Sequence, residues 1–211
     1  IILSSQMLFL TFVLGVLLNA VGYIPPGNIN LTVVQVTINR GVRQALYFIA
    51  AFGFVEILFT LVMMRFVQWL SLTLELDNII DIVMVFLFLV LGTVPSRPPP
   101  QMPKENYENK DSIKYGMLLG ILNPMQVPYW LFVGTYLISH EWIDTGYLSL
   151  TIFSIGSGLG AALALYGFIR FATYIKEKFD LSSYIINKSI ALLFFGLSAF
   201  HVCKIIYVHL I

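Results

Sequence analysis

Glu56 stands deep within an apolar run, twelve residues beyond Gln44, and no other acidic residue of the chain lies so far from a polar stretch. An unpaired carboxylate in hydrocarbon costs several kcal/mol, so this group must be protonated, paired or hydrogen-bonded. Two working chemistries fit it, contact with a substrate ammonium or exchange of a proton; the bland alternative is a hydrogen bond to irregular backbone. Amides gather around the same depth. Asn28, Thr32, Gln35 and Asn39 recur at i, i+4, i+7 and i+11, one face of a helix, and Asn123 and Gln126 repeat the theme later in the chain. Counted at about 1.5 Å per helical residue, Asn28 lies 11 residues in from Asn39, Asn123 lies 10 in from Ile113 and Glu56 lies 12 in from Gln44, all near mid-bilayer. Such amides either line a solute path or bind helices to one another.

The segments that carry these groups are interrupted. Pro25-Pro26-Gly27-Asn28 splits one long apolar run, and Asn123-Pro124-Met125-Gln126-Val127-Pro128 splits another in the corresponding place of the second half. Proline removes a donor and blocks a carbonyl, and hydrocarbon supplies no water to compensate, so such interruptions persist only inside protein or beside a wet cavity. Paired interruptions point to a midplane binding site in a transporter. The half-helix starting near Gly27 would offer unpaired N–H groups to a carboxylate, and the segment after Pro124 a second such end. With an acid at the same depth, the site would suit a solute negative at one end and positive at the other, as an amino acid is. Trp130, two residues past Pro128, is a further lining residue.

Composition places the whole chain in the membrane: 58% hydrophobic and 11% charged residues, with a mean hydropathy of +0.86. Six runs are long enough to cross about 30 Å of hydrocarbon: residues 7–39, 44–71, 79–95, 113–138, 147–172 and 187–210. The expectation is an all-α membrane protein of one domain, residues 1–211, with six transmembrane helices in a 3+3 inverted repeat. Repeat 1 is 7–95, repeat 2 is 113–210, and helices 1 and 4 are broken at proline. An odd number of spans per half requires the halves to be oppositely oriented. Between them, residues 96–112 form a proline-rich, charged cytoplasmic linker. The chain opens on Ile1 rather than methionine, so residues are expected to precede it. Residues 1–24 lack a basic leader and read as a spanning segment.

Ten of the twelve Lys and Arg residues flank the first, third and fifth loops, which places those loops in the cytoplasm and both termini outside. Arg65 and Lys204 fall near the outer interface, where their stems would snorkel. The Gly156-x-x-x-Gly160 pair reads as close helix packing, and the lone Cys203 excludes an internal disulfide. No histidine, cysteine or carboxylate set has metal-ligand spacing, and no catalytic triad or phosphate loop is present. The expectation is therefore no metal, no cofactor and no enzyme activity. The partners expected are a small-molecule substrate, the lipid bilayer and, optionally, a second copy of the chain as a homodimer. Nucleic acid is not among them.

Pro26-Gly27-Asn28, Asn39-Arg40-Gly41-Val42-Arg43-Gln44-Ala45 and Gly53-Phe54-Val55-Glu56 resemble the first half of the LysE/RhtB family of bacterial amino-acid exporters, the LysE-type translocators. That family has a Pro-Gly-Pro turn, a Gly-Arg-rich cytoplasmic loop and a Gly-Asp pair in helix two. Gly120-Ile121-Leu122-Asn123-Pro124 resembles its second signature, which typically reads Asn-Pro-Lys. Asn28 stands where the second proline is usual, Glu56 where aspartate is frequent and Met125 where lysine is frequent. The resemblance implies export of amino acids or similar metabolites across the bacterial inner membrane, driven by the proton-motive force. Substrate contacts are expected at Pro26, Gly27, Asn28, Gln35, Glu56, Asn123, Pro124, Gln126 and Trp130, with Glu56 also coupling protons. A cation or heavy-metal exporter and a non-transporting membrane subunit are the alternatives.

Overall fold

The computed structural model describes residues 5–24, 27–73 and 108–172, with the isolated positions 85, 89, 199, 202 and 203. Among the described residues the chain forms six helices: α1 (Ser5–Gly22), α2 (Asn28–Arg40), α3 (Val42–Thr73), α4 (Asn109–Ile121), α5 (Gln126–Ser139) and α6 (Tyr147–Arg170). Three are long and apolar enough to cross a membrane, Ser5–Gly22, Val42–Ser71 and Tyr147–Arg170. The expected third and sixth spans, most of the linker, Pro25, Pro26 and Lys204 lie outside the described residues.

The local chemistry explains where the helices begin and end. α2 starts after Gly27, whose backbone is extended and whose absent side chain leaves the first N–H groups uncapped. It stops at Gly41 (φ +86°), which donates its N–H to the Thr37 carbonyl at 3.0 Å. Only glycine adopts that backbone without strain. α4 ends before Asn123, the residue preceding Pro124, a position at which helical geometry is sterically disfavoured. Asn123 Oδ1 accepts the Met125 N–H at 3.2 Å, closing a turn between α4 and α5. Pro128 sits in the first turn of α5, where a missing N–H leaves no bond unmade.

One boundary differs from the sequence expectation. α4 begins at Asn109, inside the stretch read as linker, because Glu108 and Asp111 form a reciprocal capping box that satisfies the first-turn donors. Charge in this stretch builds the helix start rather than solvated coil.

α3 is the central element, in contact with α2, α4, α5 and α6, while α6 also covers α1. Glycines set the closest approaches. A Cβ on Gly156 would run into the Phe12 carbonyl, and one on Gly160 into that of Val16; on Gly15 it would meet the carbonyl of Phe153. Gly53 of α3 and Gly158 of α6 face each other in the same way. Lipid provides no hydrophobic drive between helices, so this backbone contact is what gives their association its dispersion energy. Two apolar clusters result. One joins Val33, Phe48, Phe52, Ala161 and Leu165; the other joins Met64, Val67, Trp130, Leu150 and Phe153. On α3, Glu56 falls between them.

Candidate functional site

Glu56 is fully buried, and among the described residues its hydrogen-bond partners are all neutral. Asn19 of α1 donates from Nδ2 to Oε2 at 2.9 Å. Tyr23, in the turn after α1, donates its hydroxyl to Oε1 at 2.6 Å. Gln126, the first residue of α5, donates from Nε2 to the same oxygen. Three donors aimed at one acid are the arrangement that a charged carboxylate satisfies best, since each donated bond is charge-assisted. Among the described residues no cation stands by it, so these three side chains supply hydrogen bonds without neutralising charge.

The two oxygens face different surroundings. Behind Oε2, Asn19 Nδ2 also lies 2.9 Å from both the carbonyl and the hydroxyl of Ser157, and that hydroxyl meets Thr60 Oγ1 at 2.8 Å. This side is built from α1, α3 and α6, locked by the glycine contacts. Beyond Oε1 lie Tyr23, which follows α1, and the turn between α4 and α5. Asn123 Nδ2 donates to the Tyr23 hydroxyl at 3.0 Å, and Asn30 Nδ2 donates to the Tyr23 carbonyl at 2.7 Å. Tyr129 fixes the end of α1 from α5, donating to the Leu18 carbonyl at 2.7 Å. The Tyr23 ring packs edge-on against Phe52, 5.5 Å between centroids.

Of the sequence-predicted site residues, Glu56, Gln126 and Asn123 belong to one hydrogen-bonded group, Asn123 through Tyr23. Gln126 is buried, and among the described residues its Oε1 has no partner, an acceptor left open beside Glu56. Gly27 and Asn28 are half-buried at the start of α2, where the Asn28 carbonyl accepts from Thr32 at 2.8 Å. Gln35 and Asn39 are exposed, so the stripe on α2 does not form one continuous wall. Pro124 is exposed on the α4–α5 turn, and Pro26 lies outside the described residues. Trp130 is fully buried edge-on to Tyr129 and Phe153, at 4.9 and 5.6 Å, within the apolar cluster rather than among the donors to Glu56. Its indole nitrogen has no partner.

Asn19, Tyr23, Thr60 and Ser157 were not anticipated. Thr60 had a signal, the i+4 position on the face of Glu56. Ser157 sits within a glycine run that reads as packing alone, and Asn19 is a single amide in an apolar helix. Arg65, expected at the outer interface, donates to Gln68 Oε1 at 2.8 Å and lies over the Tyr147 ring at 5.0 Å.

The LysE type translocator family matches residues 20–204 of this chain. No curated protein and no solved structure matches it.

Proposed function

We infer that this chain, which belongs to the LysE type translocator family, is a secondary transporter that exports amino acids or related small metabolites across the bacterial inner membrane, coupled to proton entry. The observation that carries the reading is Glu56, buried where the end of α1 and the α4–α5 turn meet and held, among the described residues, by neutral donors. Such a group calls for a mobile positive charge, either a proton or a substrate ammonium. The open Oε1 of Gln126 adds a second acceptor for the ammonium. The start of α2 at Gly27 and Asn28, which no N-cap side chain closes, suits the carboxylate of the same solute.

In this reading residues 7–95 and 113–210 are oppositely oriented repeats, interrupted at Pro25-Pro26 and at Pro124 near the bilayer midplane, and the interruptions shape the cavity. Basic loops face the cytoplasm and both termini face outward. Alternating access exposes Glu56 to one side at a time.

The test is counterflow in proteoliposomes against a panel of labelled amino acids at two pH values. Wild type should exchange at least one of them at a pH-dependent rate. Glu56→Gln keeps the shape but removes the charge, and should abolish the pH dependence. Glu56→Asp keeps the charge but withdraws it by about one bond length, roughly 1.5 Å, which carries Tyr23 and Asn19 out of hydrogen-bond range. It should retain some pH dependence at a reduced rate. Full pH-dependent exchange by both variants would remove Glu56 from the mechanism, and no exchange of any amino acid would overturn the substrate class.

A further inference from the structure

Glu56 is tied to the α4–α5 turn twice, and the second tie runs through a residue with no role assigned so far. Gln126 reaches the carboxylate directly. Asn123 has no bond to Glu56; it donates to the Tyr23 hydroxyl, which donates in turn to Glu56 Oε1. We propose that Tyr23 is a positioning residue which relays between the substrate-binding turn at Asn123 and the proton carried by Glu56. This rests on the reading of Glu56 as the proton carrier.

A phenol hydroxyl has one hydrogen to give and lone pairs to receive. With Glu56 ionised, that hydrogen points at Oε1, and the Asn123 amide meets the lone pair left facing it. Hydrogen bonds in such a chain polarise one another, so the Asn123 bond makes Tyr23 a better donor to the carboxylate. Adding a proton to Glu56 removes the charge, weakening the bond from Tyr23 roughly twofold whichever oxygen takes the proton. The hydroxyl then has less reason to stay oriented, and its lone pair becomes a weaker acceptor for Asn123, loosening one tie on the turn. Tyr23 itself stays un-ionised throughout, and the proton goes only to and from Glu56.

The converse follows by linkage. A solute that draws Asn123 off the hydroxyl changes the proton affinity of Glu56 by the same factor as the proton changes that solute's affinity, about 5–150-fold for couplings of ordinary size. Tyr23 is well placed for this because its position is fixed independently. Its ring rests on Phe52, and its carbonyl is held by Asn30. Among the described residues the surroundings are otherwise electrically quiet. α5 brings the titratable Tyr129 near Glu56, α6 brings Ser157 and α1 brings Asn19; among the described residues α2 and α4 bring no charged group to it.

The experiment needs no knowledge of the solute, because the probe is the proton. Infrared difference spectra of the purified protein in lipid are recorded across a pH series, and the carboxyl band absent from Glu56→Gln is assigned to Glu56. Tyr23→Phe, which removes only the hydroxyl, should displace the midpoint of that band by about 0.5–1 pH unit. Asn123→Ala should displace it too, but not when Tyr23→Phe is already present. A purely structural Tyr23 would lower thermal stability without this dependence of one substitution on the other. The relay is overturned if Tyr23→Phe leaves the midpoint unmoved, or if Asn123→Ala shifts it equally with and without the hydroxyl. Should Tyr23→Phe fail to elute as a single species, Asn123→Ala decides alone, and a midpoint equal to wild type rejects the relay. A wild-type carboxyl that never titrates rejects both the relay and the proton-carrier reading, whereas one that titrates but ignores Tyr23 rejects only the relay.

Discussion

Gly160→Ala should damage the site from a full turn away, and the size of the effect can be worked from the contact between α1 and α6. A Cβ at Gly160 would stand 2.9 Å from the carbonyl carbon and 3.0 Å from the Cα of Val16, besides meeting its oxygen. Ordinary carbon contacts lie at about 3.5–4.0 Å, so α1 would have to retreat by about 0.5–1 Å. These are backbone atoms, with no side chain able to swing aside. Asn19 is three residues beyond Val16 on the same helix, and its 2.9 Å bonds to Glu56 and Ser157 would stretch out of range. Overpacking of this kind costs about 1–3 kcal/mol, and a lost bond to a charged group about 1.5–3 kcal/mol. Alanine returns up to about 1 kcal/mol of helix propensity, leaving a net loss of roughly 2–5 kcal/mol. A melting-temperature assay on detergent-purified protein should register this as a fall of roughly 4–20 °C, accompanied by loss of exchange. Gly167 is the control, because a Cβ there meets nothing within 4 Å, so Gly167→Ala should be neutral or stabilising. Equal stability of the two variants would refute the idea that the seam positions Asn19.

Two further outcomes are expected. Gly41→Ala has open space around it, yet φ +86° and ψ 164° lie in a region nearly confined to glycine, so thermal melting should show a loss of about 1–3 kcal/mol from backbone strain alone. Asn19→Leu removes the donor shared between Glu56 and Ser157 while keeping nearly the same volume. Counterflow by this variant should fall at least about tenfold, the equivalent of one charge-assisted bond, and a rate within twofold of wild type would exclude Asn19 from the site.

What the sequence made legible was decided by physics local to one helix. α3 and α6 are unbroken apolar runs, and length alone identifies them. Glu56 stands out because charge is costly where it lies, and Gln126 and Asn123 because amides are rare at that depth. The i, i+4, i+7, i+11 pattern on α2 correctly aligns Asn28, Thr32, Gln35 and Asn39, but periodicity says nothing of which neighbour covers the face. Thr32 turns back onto the Asn28 carbonyl while Gln35 and Asn39 stay exposed. Asn19 and Ser157 escaped notice for the same reason. Their meeting with Glu56 depends on which helices touch, and that is set by glycines whose partners are 100 or more residues away in the chain. Tyr23 is the clearest case, being one of eleven tyrosines and distinguished only by the two partners of its hydroxyl, Glu56 and Asn123.

The way the helices are seated suggests where movement is stored. α6 meets α1 and α3 backbone to backbone at Gly15, Gly53, Gly156, Gly158 and Gly160, and α4 meets α3 likewise where Gly116 faces the Phe48 carbonyl. Contacts of this sort have no soft component, so those four helices move together or not at all. α5 is different. Its glycine, Gly134, approaches α3 at side chains rather than backbone: a Cβ there would meet the Met64 sulfur at 2.9 Å, a flexible end that can repack at small cost, and the Val67 methyls at 3.5 and 3.6 Å, ordinary contact. At the start of this helix is Gln126, bonded to Glu56, and ahead of it is the turn carrying Asn123. The carboxylate therefore has one oxygen fixed to a rigid wall and the other tied to α5, which is seated on α3 through side chains. A change of charge on Glu56 acts on both, but only the Oε1 side has room to respond. In the proposed mechanism, α5 and its leading turn are the part through which protonation of Glu56 opens a path for the solute.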